Sequence, residues 1–343
     1  MDPTLWLCHL VLDRPARVRW VRDFLEKGAV PPELVARVRP YRNAVRRRIE
    51  DWARLAAPHR IRWITPLDRE YPRAALGRLH DPPGVLFVRG QLDLLGRAPA
   101  VGVVGARRGT ARGRRVSRRM GADLARAEVV VVSGLALGID ASAHEGCVDA
   151  EGEGIAVLAG GLDRVTPPSN ADLGRRLLRR GLLVSEQPPG SKPRKHDFVA
   201  RNRIIAGLVD ALVVVEAAAR SGALSTLEFA AQVGAHAMVV PGPVDCPHAQ
   251  GTLAALHDGS IPVRHARDVL DMLGLIGDAC EPGPLGLGDV PESAAEIARR
   301  TGLSTAAVSA ALGEAEMLGQ VQRVGAGRWV AGASGLPPAA GRS

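Results

Sequence analysis

Four groups of residues have the types and spacing to do chemistry. The first is the turn Gly105-Ala106-Arg107-Arg108-Gly109-Thr110. Glycines leading into a helix start present unpaired backbone N–H groups and a positive dipole end, which suits a phosphate. Arg107, with Arg108 beside it, adds a planar and permanently charged fork for phosphate oxygens. The second is SGLALGIDASAH, where Ser133 and Gly134 close one element and Gly138, Ile139 and Asp140 open a helix. His144 follows Asp140 by one turn, so the pair can be read as acid–base apparatus. The plainer account is preferred: Asp140 caps the helix and His144 hydrogen-bonds locally.

The third group is GSKPRKHDFVARNRIIAGL, which sets Lys192, Arg194, Lys195, Arg201 and Arg203 close together. Basic residues on a loop beside a phosphate-binding turn make a track for a nucleic-acid backbone. The fourth is Glu216 followed by SGALSTLEFA, in which Ser221 and Gly222 precede a helix holding Thr226 and Glu228. Two nucleotide signatures are missing. The glycines at 102, 105 and 109 do not follow G-x-G-x-x-G, and no G-x-x-x-x-G-K-[ST] occurs.

These groups need a scaffold that brings them to one place. Apolar, β-branched runs at Ala100–Val104, Val129–Ser133, Ile155–Ala159, Leu182–Ser185, Leu212–Glu216 and Ala237–Val240 alternate with segments of helical period. Such runs read as parallel strands buried on both faces. The fold class is therefore α/β: an extended Rossmann-like, doubly wound, mostly parallel sheet. In such sheets ligands bind outside the carboxyl ends of the strands, which is where all four groups fall.

Around this core, residues 1–60 form an N-terminal helical domain broken at Gly28 and Pro31–Pro32. A basic amphipathic helix spans Arg37 to Arg54, with Val45, Ile49, Trp52 and Leu55 on its apolar stripe. Its Arg46, Arg47 and Arg48 are assigned to a solvated face. The Rossmann-like core runs over 61–275; its lead-in, 61–99, carries Pro66, Pro72, Pro82 and Pro83 and reads as extended connections with one edge strand, Val85–Val88. A Gly- and Pro-rich linker covers 276–289. Residues 290–331 read as a small C-terminal winged-helix domain: helix, turn at Thr301–Gly302, helix capped by Ser304, and hairpin Val321–Val330. Its second helix has Glu314 and Glu316 but no Lys or Arg, which favours a packing or protein-contact role over base reading. The tail 332–343 is expected to be disordered.

The totals narrow the class of function. A net charge of +9 and a pI near 10.3 point to a polyanionic partner. Only Lys27, Lys192 and Lys195 are lysines, and a GC-rich coding bias also yields such Arg-, Ala- and Gly-rich chains, so charge alone decides nothing. No apolar run is long enough for a membrane span, and MDPTLWLCHLVLD lacks the basic region of a signal peptide, so the expected location is cytoplasmic. Cys8, Cys147, Cys246 and Cys280 are scattered and suggest neither a metal site nor disulfides. No cofactor is implied.

The stretches SGLALGIDASAH, AVLAGGLD, the Ser-Glu of LLVSEQPPG, FVARNRIIAGL, VVVEAAARSGAL and VVPGPV, in that order, resemble the DNA-processing protein A family (DprA, also called Smf). The resemblance covers about residues 61–273. It implies a non-catalytic protein that binds single-stranded DNA, forms a homodimer and helps load the recombinase RecA in natural transformation. It also implies that Arg107 lies in the DNA pocket, with Ser133, Gly134, Gly138, Asp140, Gly160, Gly161, Arg201, Asn202, Arg203, Ser221 and Gly222 lining or shaping the same edge. Together with the residue-level reading, the candidate DNA site is Gly105, Arg107, Arg108, Lys192, Lys195, Phe198 and those positions. Thr166 and Pro168 depart from the family pattern, which has an aromatic–Pro pair often followed by a basic residue, and Val199 replaces a usual Pro.

Between residues 100 and 275 Phe198 and Phe229 are the only aromatics, apart from histidines, so Phe198 is the one candidate for base stacking. Affinity should then come mainly from phosphates, with steep salt dependence. Two other classes stay open. One is a nucleotide phosphoribohydrolase-like Rossmann enzyme, whose PGGxGTxxE signature GALSTLEFA faintly resembles; Glu228 would act there without the paired glycines. The other is a protein-interaction scaffold.

Overall fold

The computed structural model describes residues 6–275, 285, 287, 291–317, 321–325 and 327–331. Two compact units, Met1–Leu273 and Gly274–Ser343, are each described by themselves. Apart from Leu285 and Leu287, the linker expected at 276–289 and the tail at 332–343 lie outside the described residues.

The first unit is built on a nine-stranded sheet. Its strands are β1 (Arg62–Ile64), β2 (Leu86–Gly90), β3 (Ala100–Val104), β4 (Val130–Ser133), β5 (Gly154–Leu158), β6 (Leu182–Ser185), β7 (Ala211–Val214), β8 (His236–Val239) and β9 (Ile261–Pro262). The spatial order is β1-β2-β6-β5-β4-β3-β7-β8-β9. From β6 to β9 every pairing is parallel, while β2 runs antiparallel to both β1 and β6. Alternation explains the layers. Val101 and Val103 of β3 point to one apolar cluster, while Ala100 and Val104 join the cluster on the other face. The order doubles back between β3 and β7, which makes their carboxyl ends the switch point where such sheets bind ligands.

The lead-in differs from expectation. It contributes two strands, and β2 is not an edge, because β1 pairs outside it with Trp63 opposite Phe87. Leu86, Phe87 and Val88 are buried, which an edge position would not allow so readily. The expected helix over 37–54 also differs: α1 (Arg14–Lys27), α2 (Pro32–Val38) and α3 (Arg42–Ala56) are separate, with Pro40 in the break. Proline lacks the N–H a helix interior needs. Val45 and Trp52 are buried as the stripe predicts, but Leu55 is 47% exposed.

The N-terminal helices complete one face of the sheet. Trp6, Trp20, Val45 and Trp52 share an apolar cluster with Phe87, Ala156, Leu158 and Leu183 of β2, β5 and β6. Trp52 meets Phe87 edge-on at 5.2 Å between centroids, an arrangement contributing roughly 1 kcal/mol beyond area burial. Among the described residues no helix is long and apolar enough to cross a membrane.

In the second unit, helices Ala294–Thr301 and Thr305–Met317 pack on a three-stranded sheet of Glu292–Ser293, Val321–Val324 and Arg328–Ala331. The expected helix–turn–helix and hairpin are present; the strand Glu292–Ser293 is an addition. Gly302 takes the left-handed conformation that ends the first helix, and Ser304 Oγ accepts from Ala307 N.

Candidate functional site

Helices α4 (Arg73–Leu76), α5 (Ala111–Arg126), α6 (Ile139–Asp149), α7 (Ala171–Leu177), α8 (Lys195–Gly207) and α9 (Gly222–Gln232) complete the helical frame relevant to the site. The turn after β3 meets the turn after β4 through Asp140. Its carboxylate accepts from Gly105 N at 3.3 Å and Gly134 N at 3.1 Å. Asp140 is thus not the N-cap of α6; Gly138 is, and its backbone (φ 80°, ψ −120°) suits only glycine. A Cβ there would meet the carbonyls of Ala106 and Arg107 at 2.5 Å. The Asp140 carboxyl is pushed up by burial, opposed by the nearby Arg201 charge and the backbone N–H groups.

Arg201, on α8, lies directly beneath. It is buried, donates from Nη1 to the carbonyl of Val157, and its Nε has no partner. The guanidinium packs on Gly134, where any Cβ would collide with it. Burial pushes its pKa down to about 10, with Asp140 opposing and Arg107 reinforcing the shift. Arg201 therefore remains charged at neutral pH. His144 does not hydrogen-bond locally as expected: neither ring nitrogen finds a partner of good geometry. Burial holds the imidazole down at about 4, opposed by the Ser133 backbone and reinforced by the Arg201 charge. A neutral, buried His144 is no acid–base group at pH 7.

Above this foundation opens a pocket of about 260 Å³ at the carboxyl edge. Gly105, Arg107, Asp140, Lys195, Phe198, Arg201, Asn202, Ser221 and Gly222 all line it, together with Thr226. The Arg107 guanidinium lies 4.3 Å from the Phe198 ring centroid, a cation–π stack that joins the β3 turn to α8. Asn202 Nδ2 donates to the Gly222 carbonyl at 3.0 Å and Ser225 Oγ at 3.2 Å, fixing the start of α9 against α8.

The remaining candidates sit elsewhere. Arg108 is exposed in the same turn without lining the pocket. Ser133 is buried and donates to Val103 O at 2.6 Å. Gly134 and Gly138 shape the floor. Gly160 and Gly161 pack against the loop that holds exposed Lys192, with Gly161 N donating to Ser191 O. Arg203 faces away from the pocket, because two residues along a helix turn the side chain to the far side. It bonds Glu186 at 2.9 Å and the Asp81 carbonyl at 2.7 Å.

One reading of the first turn is overturned. The start of α5 is not an open phosphate cradle, because Glu216 occupies it. Its carboxylate accepts from Thr110 N at 2.8 Å and Thr110 Oγ1 at 2.5 Å. Gly113 leaves the room this requires; a Cβ there would meet the carboxylate carbon at 2.2 Å. A phosphate at this edge must use Arg107, Lys195 and the pocket polar groups instead. The strand-end position of Glu216, opposite a Gly-rich turn, was the signal for this role. Glu228, the residue an enzymatic reading needs, is exposed on α9 outside the pocket.

The family model described as DNA recombination-mediator protein A matches residues 62–274, and the DprA winged helix domain model matches 286–327. The chain belongs to the DNA recombination-mediator protein A family. Among its relatives, Protein Smf of Synechocystis is 42% identical over 62% of this chain and 54% of its own length. DNA processing protein DprA of Bacillus subtilis is 35% identical over 64% of this chain and 75% of its own. The chain thus spans little more than half of the Synechocystis relative.

Solved members of the family share the architecture. DNA processing protein A from Streptococcus pneumoniae aligns with a TM-score of 0.64 and 32% identity, over 78% of this chain and 95% of that one. DNA processing protein A from Helicobacter pylori, described for its single-stranded DNA binding mode, gives 0.56 and 26%, over 62% and 95%. The span matched by the family model, 62–274, contains every residue lining the pocket.

Proposed function

We propose that this chain binds single-stranded DNA at the carboxyl edge of its sheet, without catalysis, and acts in DNA processing during transformation. The observation that carries the reading is the Arg107–Phe198 stack over the buried Arg201 charge. It offers a cation for phosphate and an aromatic face for a base in one small pocket. The Helicobacter pylori relative, described for single-stranded DNA binding, supports it. The names of the relatives and the family description support a mediator role, so we assign the chain to a cytoplasmic homodimer that delivers DNA to RecA. The Glu216 plug favours binding over nucleotide chemistry, because the helix start where a dinucleotide phosphate would sit is taken.

The test is fluorescence anisotropy with labelled single-stranded and duplex oligonucleotides across a salt series. Wild type is expected to prefer the single strand, with affinity falling steeply as salt rises. Arg107→Ala removes a charge-assisted contact of about 1.5–3 kcal/mol, so binding weakens roughly tenfold or more. Equal binding of duplex, or an Arg107→Ala variant that binds as well as wild type, refutes the assignment.

A further inference from the structure

A second cavity lies on the other side of α8. It is a groove of about 1290 Å³ between the N-terminal helices and the sheet domain, several times the volume of the Arg107 pocket. Val199, 48% exposed on α8, lines both, so the two openings meet across the first turns of that helix. Lys195 stands on the pocket side of this crossing and His196 on the groove side.

The groove is basic, with six arginines against three carboxylates. Those carboxylates are already engaged. Asp81 pairs with Arg14 at 3.0 Å and faces Arg203; Glu186 pairs with Arg203 at 2.9 Å; Asp197 accepts from Arg194 N at 2.7 Å. Arg78 is spent on backbone carbonyls of Gly207 and Val233, and Arg22 pairs with Glu26. Two guanidiniums remain. The side chains of Arg17 on α1 and Arg48 on α3 make no ion pair or hydrogen bond among the described residues; Arg17 is half-buried and Arg48 exposed. An uncompensated, partly desolvated guanidinium is costly unless an anion arrives to pair with it.

We infer that this groove is a second segment of the DNA track: a single strand leaving the Arg107 pocket crosses α8 at Val199, and Arg17 and Arg48 of the N-terminal helices take its phosphates. The inference rests on the proposed DNA site and extends it to helices outside the matched core. A polynucleotide is the occupant that fits, because it alone is both continuous with the pocket ligand and regularly anionic. Six arginines line the groove against three engaged carboxylates, a charge balance that suits a polyanion better than an apolar helix. The strand's reach into this groove depends on length, so short ligands should not sense it.

The experiment compares wild type, Arg17→Ala/Arg48→Ala and the surface variant Arg48→Glu, on oligo-dT of about 6 and about 20 nucleotides, bracketing the usual site sizes. Thermal melting confirms that each variant is folded. On the long strand the double variant is expected to lose affinity, and its salt slope to fall by about 1.4, the value for two lost phosphate contacts on a single strand. Arg48→Glu weakens the long strand as well, and all three proteins bind the short strand alike. Unchanged affinity and slope on the long strand, with Arg107→Ala still defective, overturns the groove while leaving the pocket intact. If Arg107→Ala is also silent, the DNA site itself has failed.

Discussion

The sheet edge of the first unit and the winged helix of the second both use folds that commonly meet nucleic acid, yet their chemistry is opposite. At the edge, Arg107 and Lys195 stand over a buried, charged Arg201, with Asp140, Asn202 and Thr226 beside it. In the winged helix, the helix Thr305–Met317 exposes Glu314 and Glu316 and carries no cation. Three of the four described arginines around it are used internally: Arg300 with Glu292, Arg328 with Glu296, and Arg323 over Trp329. Its described core, Ile297, Val308, Leu312, Ala315 and Val321, is apolar. A fold places a surface, but the charges left unpaired on that surface decide what it attracts.

The contrast can be broken most forcefully at Arg201. Arg201→Met removes the guanidinium whose charge acts on buried Asp140 and should cost about 3–5 kcal/mol. Chemical denaturation of the first unit reads this loss, and adding Asp140→Asn should recover part of it. No recovery would mean that Arg201 supports the edge through packing alone.

His144 sharpens the contrast through pH. Its folded pKa is lowered from 6.5 to about 4, so the unfolded chain takes up the proton first as the pH falls. Its stabilising contribution is therefore complete above pH 6.5 and is lost on acidification toward pH 4, by about 3 kcal/mol. Unfolding free energies measured over that window should flatten in His144→Leu. In the winged helix the lowered carboxyl of Glu296, set by the Ser293 backbone and hydroxyl, gives stability that persists above pH 4.5 and is lost below it. A winged-helix transition that weakens at pH 6 would erase the distinction.

The smallest effect concerns the acidic helix. Glu314→Gln with Glu316→Gln should change single-strand affinity by less than about 0.5 kcal/mol, the range of ordinary surface substitutions. A large gain in affinity would show that the acidic helix repels single-stranded DNA, as the proposed edge site would not.

Much of the core was legible because parallel strands buried on both faces have little freedom in composition. The six apolar runs from Ala100 to Val240 matched β3 to β8 within a residue or two. Strand ends also told where the small and polar residues collect, so nine of the proposed site residues line one pocket. The lead-in was less legible: β1 is three residues long, and its pairing with β2 depends on partners distant in sequence. The helix assigned to 37–54 failed at Pro40, where backbone chemistry outweighed the apolar stripe.

By itself the amino-acid sequence determined the period of each element, the turns that glycine permits, and the supply of cations and aromatics near the sheet edge. These are local properties, set by neighbours within a few residues. Only the tertiary structure decided how those groups were spent. It turned Asp140 from a cap into a tie between two turns, gave the α5 start to Glu216, and sent Arg201 and Arg203 to opposite sides of α8. It also laid Arg48 beside a groove that no stretch of sequence shows. The physical reason is competition: each buried donor or acceptor takes the best partner within reach, and reach is measured through space.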